Sequence, residues 1–146
     1  MSLKGRFKLF NNLLLGNKRI HFIGLVSDGG VHSHIRHLKS LLNISKTHLE
    51  AHNVSAFIHA ITDGRDTAPR SAKSFLCDDL IPFLKEKHLN FAKLGSVCGR
   101  YFAMDRDKRA ERTQLAYDAL TKEGGTCETI TSMDDLAKVS EKMSRN

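Results

Sequence analysis

Leu25-Val26-Ser27-Asp28-Gly29-Gly30-Val31-His32-Ser33-His34-Ile35-Arg36-His37-Leu38 decides how this chain reads. The apolar, β-branched run from Ile20 to Val26 stops at Asp28-Gly29-Gly30, and a helical spacing of apolar residues begins after Ser33, a hydroxyl residue suited to an N-cap. The stretch is a strand, a glycine turn and a helix. The same grammar returns twice: Val54 to Ile61 runs into Asp63-Gly64-Arg65-Asp66-Thr67, and Phe91 to Cys98 runs into Gly99-Arg100-Tyr101-Phe102. The turn glycines Gly29, Gly64 and Gly99 are spaced by 35 and 35 residues. Three βα units predict an α/β fold, a parallel sheet with helices on both faces. Its ligand crevice lies at the strand C-terminal ends, where helix N-termini favour anions.

Composition sets the outer bounds. A chain of 146 residues with 40% hydrophobic and 27% charged residues fits a single domain, 1–146, around one core. The 23 Lys and Arg against 16 Asp and Glu give a net charge of +7, which suits nucleic acid, an acidic surface or a small anion. The basic residues are scattered, with no run of five or more, so most of them belong to solvated faces. Cys77, Cys98 and Cys127 form no C-x-x-C pair, and an odd number argues against a complete disulfide framework. Reduced cysteines point to the cytoplasm. The apolar patch Leu13-Leu14-Leu15 follows Asn11-Asn12 and is too short for a signal-peptide core, and no run approaches the roughly 20 apolar residues of a membrane span.

Taken in order, residues 3–15 place Leu3, Phe7, Phe10, Leu14 and Leu15 at a rough helical spacing that could lay one face on the sheet. Helix 33–49 presents Ile35, Leu38, Leu41, Leu42, Ile44 and Leu49 as a broad stripe. Helix 70–87, opened by Pro69, contains Pro82, which should kink or divide it. A helix over 105–121 starts with Asp105 and Asp107, favourable at the positive end of the dipole, and Lys108 and Arg112 read as its solvated face. A short amphipathic helix over 132–143 follows Gly124-Gly125.

Three constellations carry possible chemistry. His32, His34 and His37 are spaced closely enough to share a divalent ion, the basis of a metal-dependent hydrolase reading, although H-x-H pairs generally need further ligands that no second cluster supplies. His32 alone suits a turn histidine that binds an anion or moves a proton. In Thr62-Asp63-Gly64-Arg65-Asp66-Thr67, Gly64 permits a turn that brings Arg65 and Asp66 over the strand end. A guanidinium there binds carboxylate or phosphate and a neighbouring carboxylate accepts a hydroxyl proton; an Arg–Asp surface pair is the plain alternative. Arg100 at a strand end and Arg106 at a helix start reach the same edge. Three turns delivering Arg, His and Asp to one sheet edge argue for a site more strongly than any one of them.

Ser27 to His34, Asp63 to Thr67 and Gly99-Arg-Tyr-Phe-Ala-Met-Asp-Arg-Asp-Lys-Arg109 together closely resemble the cofactor-independent (2,3-bisphosphoglycerate-independent) phosphoglycerate mutase family. The resemblance covers about residues 20–125, in order and at family spacing. It implies a glycolytic isomerase that interconverts 3- and 2-phosphoglycerate through a phosphoserine intermediate with two manganese ions. In that family a smaller substrate-binding transferase domain is inserted into an alkaline-phosphatase-like domain that carries the serine nucleophile and the metals. This sequence resembles the smaller domain alone. The phosphatase-like domain and a further Arg-x-x-Arg substrate pair are missing, so the resemblance implies no cofactor in this chain and no mutase activity from it in isolation. Carried over by motif, His32, Arg65, Asp66, Arg100 and Arg106 form the substrate-binding set, and Asp66 exchanges a proton with the glycerate hydroxyl as the catalytic residue. The implied partners are phosphoglycerate and the missing domain, with no nucleic acid and no membrane. Cys98 and Ala110 stand where the family usually has Ser and Trp, departures that bear on packing more than on the ligand.

The basic balance leaves a different class open, a non-enzymatic RNA-binding or adaptor domain. Such proteins pair basic residues with exposed aromatic rings, and Tyr101-Phe102 is the candidate pair.

Overall fold

The computed structural model describes residues 19–121, 135, 136 and 138. Three strands, β1 (Arg19–Leu25), β2 (Ser55–Thr62) and β3 (Ala92–Gly99), form a parallel sheet in the order β1-β2-β3. Each strand begins and ends within one residue of its sequence expectation. The β1-β2 register runs unbroken from Arg19↔Ser55 to Leu25↔Ile61. The β2-β3 register shifts between Ile58 and His59, so that Ile58 faces Leu94 while His59 faces Ser96, with Gly95 the extra residue.

Parallel neighbours need crossovers, and here these are helices. Between β1 and β2 lies α1 (Ile35–Ala51); between β2 and β3 lie α2 (Ser74–Leu80) and α3 (Ile81–Glu86). Ala56, Ile58 and Ala60 alternate along β2 and are buried with Leu42 and Leu49 of α1, Leu76 and Leu80 of α2 and Leu84 of α3. One core thus lies on the crossover face of the sheet, joined by Leu89 and by Leu136. Full burial of one such leucine contributes about 1.5–3 kcal/mol. The apolar stripe of α1 is narrower than its spacing predicts, because Leu41 and Ile44 are exposed. After β3 come α4 (Arg100–Ala103) and α5 (Ala110–Thr121), both packed against β3.

Local chemistry explains where the helices depart from expectation. Ser33 is not the N-cap of α1. Its hydroxyl donates to the Leu25 carbonyl at 2.8 Å, tying the turn to the end of β1. His34 takes the capping position with extended backbone, and its Nδ1 accepts the Arg36 N–H at 3.1 Å. The expected helix 70–87 is divided: α2 is wound as a π-helix, and α3 begins at Ile81 with Pro82 in its first turn. Proline supplies no N–H and crowds the carbonyl four residues back, so a wider turn ahead of it relieves both problems. The helix expected from Asp105 starts at Ala110 instead, because Lys108 takes a left-handed φ of 59°. The expected helix 3–15 lies outside the described residues, as does most of the one over 132–143. No described helix is long and apolar enough to cross a membrane.

The other face of the sheet carries a polar chain. His21 Nδ1 and His59 Nε2 are 2.8 Å apart, and His59 Nδ1 is 2.8 Å from Ser96 Oγ. The His21 ring stacks on Phe57 with centroids 5.4 Å apart. Desolvation, aided by the neighbouring His21, holds the His59 pKa below the ordinary imidazole value.

Candidate anion-binding site

The three βα turns meet at the C-terminal ends of the strands, and Asp63 is the residue that joins them. Its side chain is 1% exposed. Asp63 Oδ2 accepts the Ser27 hydroxyl of the first turn at 2.7 Å. Its Oδ1 accepts the backbone N–H groups of Arg65 at 3.1 Å and Asp66 at 3.0 Å, folding the second turn around the carboxylate. The same oxygen accepts Arg100 Nη1 of the third turn at 2.8 Å. Burial alone would raise the Asp63 pKa. The bonds from Ser27, Arg100 and the Asp66 N–H, with the Arg100 charge, outweigh it and hold the carboxyl below the usual range.

Glycine lets the turns close on one another. A Cβ on Gly29 would lie 3.0 Å from Asp66 Cβ and 3.2 Å from the Asp66 carbonyl oxygen, so the first and second turns touch at a point where only hydrogen fits. Gly64 has a φ of +108°, the conformation anticipated for the second turn.

The structure divides the expected site residues into two groups. Asp66, Arg100 and His32 are linked: Arg100 Nη1 donates to Asp66 Oδ2 at 2.7 Å, and His32 Nε2 is 3.8 Å from the same oxygen. Arg100 and Asp66 are mostly buried, whereas the His32 side chain is half exposed. Arg65 and Arg106 are exposed, and among the described residues neither guanidinium has a carboxylate partner. Arg106 is not at a helix start; it lies in the loop between α4 and α5, bracketed by Asp105 and Asp107. The edge therefore holds a fixed Asp63–Arg100–Asp66 network, while Arg65 and Arg106 stay outside it.

The three imidazoles of the first turn do not converge. His34 caps α1, His32 turns toward Asp66, and among the described residues no group of three or more His, Cys, Asp or Glu could hold a metal ion.

Three contributors escaped the sequence reading. Ser27 and Asp63 stood within the quoted motifs but were assigned no role, since their partners lie 36 and 37 positions away. Arg112, expected on a solvated face, is 18% exposed and bonded to two carboxylates. An acidic pair in D-G-R-D facing a strand-end arginine was the available signal for Asp63.

Fold and edge together define a class: a parallel α/β domain whose strand ends bring arginine, histidine and aspartate together. Comparison with known proteins narrows the class to a family. Residues 4–146 match the model described as BPG-independent PGAM N-terminus, and the chain belongs to that family. A 2,3-bisphosphoglycerate-independent phosphoglycerate mutase of Lawsonia intracellularis is 46% identical over 112 residues, covering 77% of this chain and 21% of the relative. The enzyme of the same name from Clostridium kluyveri is 42% identical over 136 residues, covering 90% and 26%. A crystal structure of Leishmania mexicana phosphoglycerate mutase at low cobalt concentration superposes with a TM-score of 0.57 and 33% identity, over 69% of this chain and 18% of that one. The chain thus spans about a fifth to a quarter of the length of the curated relatives it matches.

Proposed function

We propose that this chain is the phosphoglycerate-binding part of an isomerase that interconverts 3- and 2-phosphoglycerate in glycolysis, in the cytoplasm, and that it works with a phosphatase-like domain of the same enzyme. The observation that carries this reading is the Ser27–Asp63–Arg100–Asp66–His32 network, beside which Arg65 follows in the same turn, and Arg65 and Arg106 are both exposed. Phosphoglycerate bears a carboxylate and a phosphate flanking a hydroxyl. Arg65 and Arg106 supply forked donors for the anionic groups, and His32 supplies a third polar contact. Asp66, held in place by the Arg100 bond, receives and returns the hydroxyl proton as the phosphoryl group changes position. Each charge-assisted bond contributes about 1.5–3 kcal/mol, so two arginines account for millimolar binding, about −4 kcal/mol.

The two manganese ions implied by the family supply charge neutralisation and nucleophile activation in phosphoryl transfer. The described residues of this chain do not fit them, as no cluster of three ligating side chains occurs among these residues. The ions, and the phosphoserine, would belong to the phosphatase-like domain.

Calorimetric titration with 3-phosphoglycerate tests the reading. Wild type binds in the millimolar range, and Arg65→Gln and Arg106→Gln each weaken binding about tenfold, equivalent to 1.4 kcal/mol. Binding unchanged in both variants would place the ligand elsewhere.

A further inference from the structure

We propose that Arg112 is a positioning residue for the anion site, holding the loop that carries Arg106 in the conformation that delivers its guanidinium to the crevice edge. This rests on the phosphoglycerate-binding reading for the ligand and on separate contacts for the loop.

Arg112 lies on α5, yet its side chain reaches back across the loop. Its Nη1 donates to Asp105 Oδ1 at 3.0 Å and to Asp107 Oδ2 at 3.0 Å, the two residues on either side of Arg106. Its guanidinium carbon sits 3.9 Å from the centre of the Tyr101 ring, and Tyr101 directly follows Arg100. One side chain thus touches both neighbours of Arg106 and the neighbour of Arg100. Asp105 is held from a second direction, accepting the Arg109 N–H at 2.8 Å, and its side chain is only 2% exposed. Arg106 itself has no partner among the described residues, so its direction depends on the backbone that Arg112 pins.

The geometry demands arginine. A planar guanidinium stacks on an aromatic ring while its edge donates to carboxylates, whereas the lysine ammonium is a point charge that cannot do both in one position. Lysine at this position keeps the charge and loosens the loop.

The test is a double-mutant cycle on the full chain, titrated with 3-phosphoglycerate. Arg112→Lys and Arg106→Gln are each expected to weaken binding about tenfold, and the double variant to be little weaker than Arg106→Gln alone, because the second change acts through a side chain already gone. Multiplication of the two effects, or wild-type affinity in Arg112→Lys, would overturn the proposal. Amide relaxation without ligand gives a second readout. Order parameters at 105–107 fall in Arg112→Lys while those of β1 to β3 stay unchanged; no change at 105–107 would also overturn it. Should wild type fail to bind phosphoglycerate, the ligand reading fails and the loop claim is decided by these order parameters alone.

Discussion

At the scale of single residues, Asp63 exerts the widest influence because one carboxylate accepts from all three turns. Asp63→Asn leaves the mostly buried Arg100 with less compensation and is expected to destabilise the fold by about 2 kcal/mol, measured by urea unfolding near neutral pH. The pH dependence has a definite sign. Because the folded pKa of Asp63 is depressed, its contribution is present above the ordinary carboxylate range and is lost as pH falls through the lower, folded value. Wild type should therefore lose stability in acid more steeply than Asp63→Asn, and parallel acid profiles would contradict the assignment. This role was hidden in the sequence for a physical reason. Neither a bond spanning 37 positions nor the burial of a turn carboxylate leaves a periodic trace. The turn that carries Arg65 and Asp66 was legible because Gly64 marks it, while Arg112 was misread because its partners lie five and seven residues back, beyond the usual i−4 pairing on a helix.

At the scale of elements, the strands were readable because β-branched runs end at glycine turns, and their bounds shifted by a single residue. Helix starts were less so. The capping role passed from Ser33 to His34 because the serine hydroxyl is spent on the Leu25 carbonyl, and α5 was delayed by a left-handed lysine that no glycine signalled. The sheet face opposite the crossovers makes its own prediction. With the His59 pKa lowered by burial and by His21, its stabilising share is complete above the unfolded imidazole value of about 6.5 and is lost as pH falls through the folded value. Thermal unfolding followed from pH 7.5 down to about 5 should cost wild type more stability than His59→Asn. An equal decline in the two proteins would show that the pair bears no such burden.

At the scale of the whole molecule, the described residues form one core and one edge of clustered polar turns, and the chain spans about a fifth to a quarter of its curated relatives. Binding and turnover should therefore separate. In a coupled assay with added manganese, the isolated chain is expected to show no conversion of 3- to 2-phosphoglycerate, since on the proposed reading the arginines and Asp66 only position a substrate, and the described residues hold no metal cluster to assist phosphoryl transfer. Turnover proportional to chain concentration and lost in Asp66→Asn would place the chemistry here instead. The central claim, that three turns form one phosphoglycerate site, is tested most directly by an amide NMR titration with 3-phosphoglycerate. The account predicts that the amides of 29–34, 64–67 and 99–106 shift together along one saturation curve. Shifts confined to α1 and α5, or separate curves for the three turns, would contradict it.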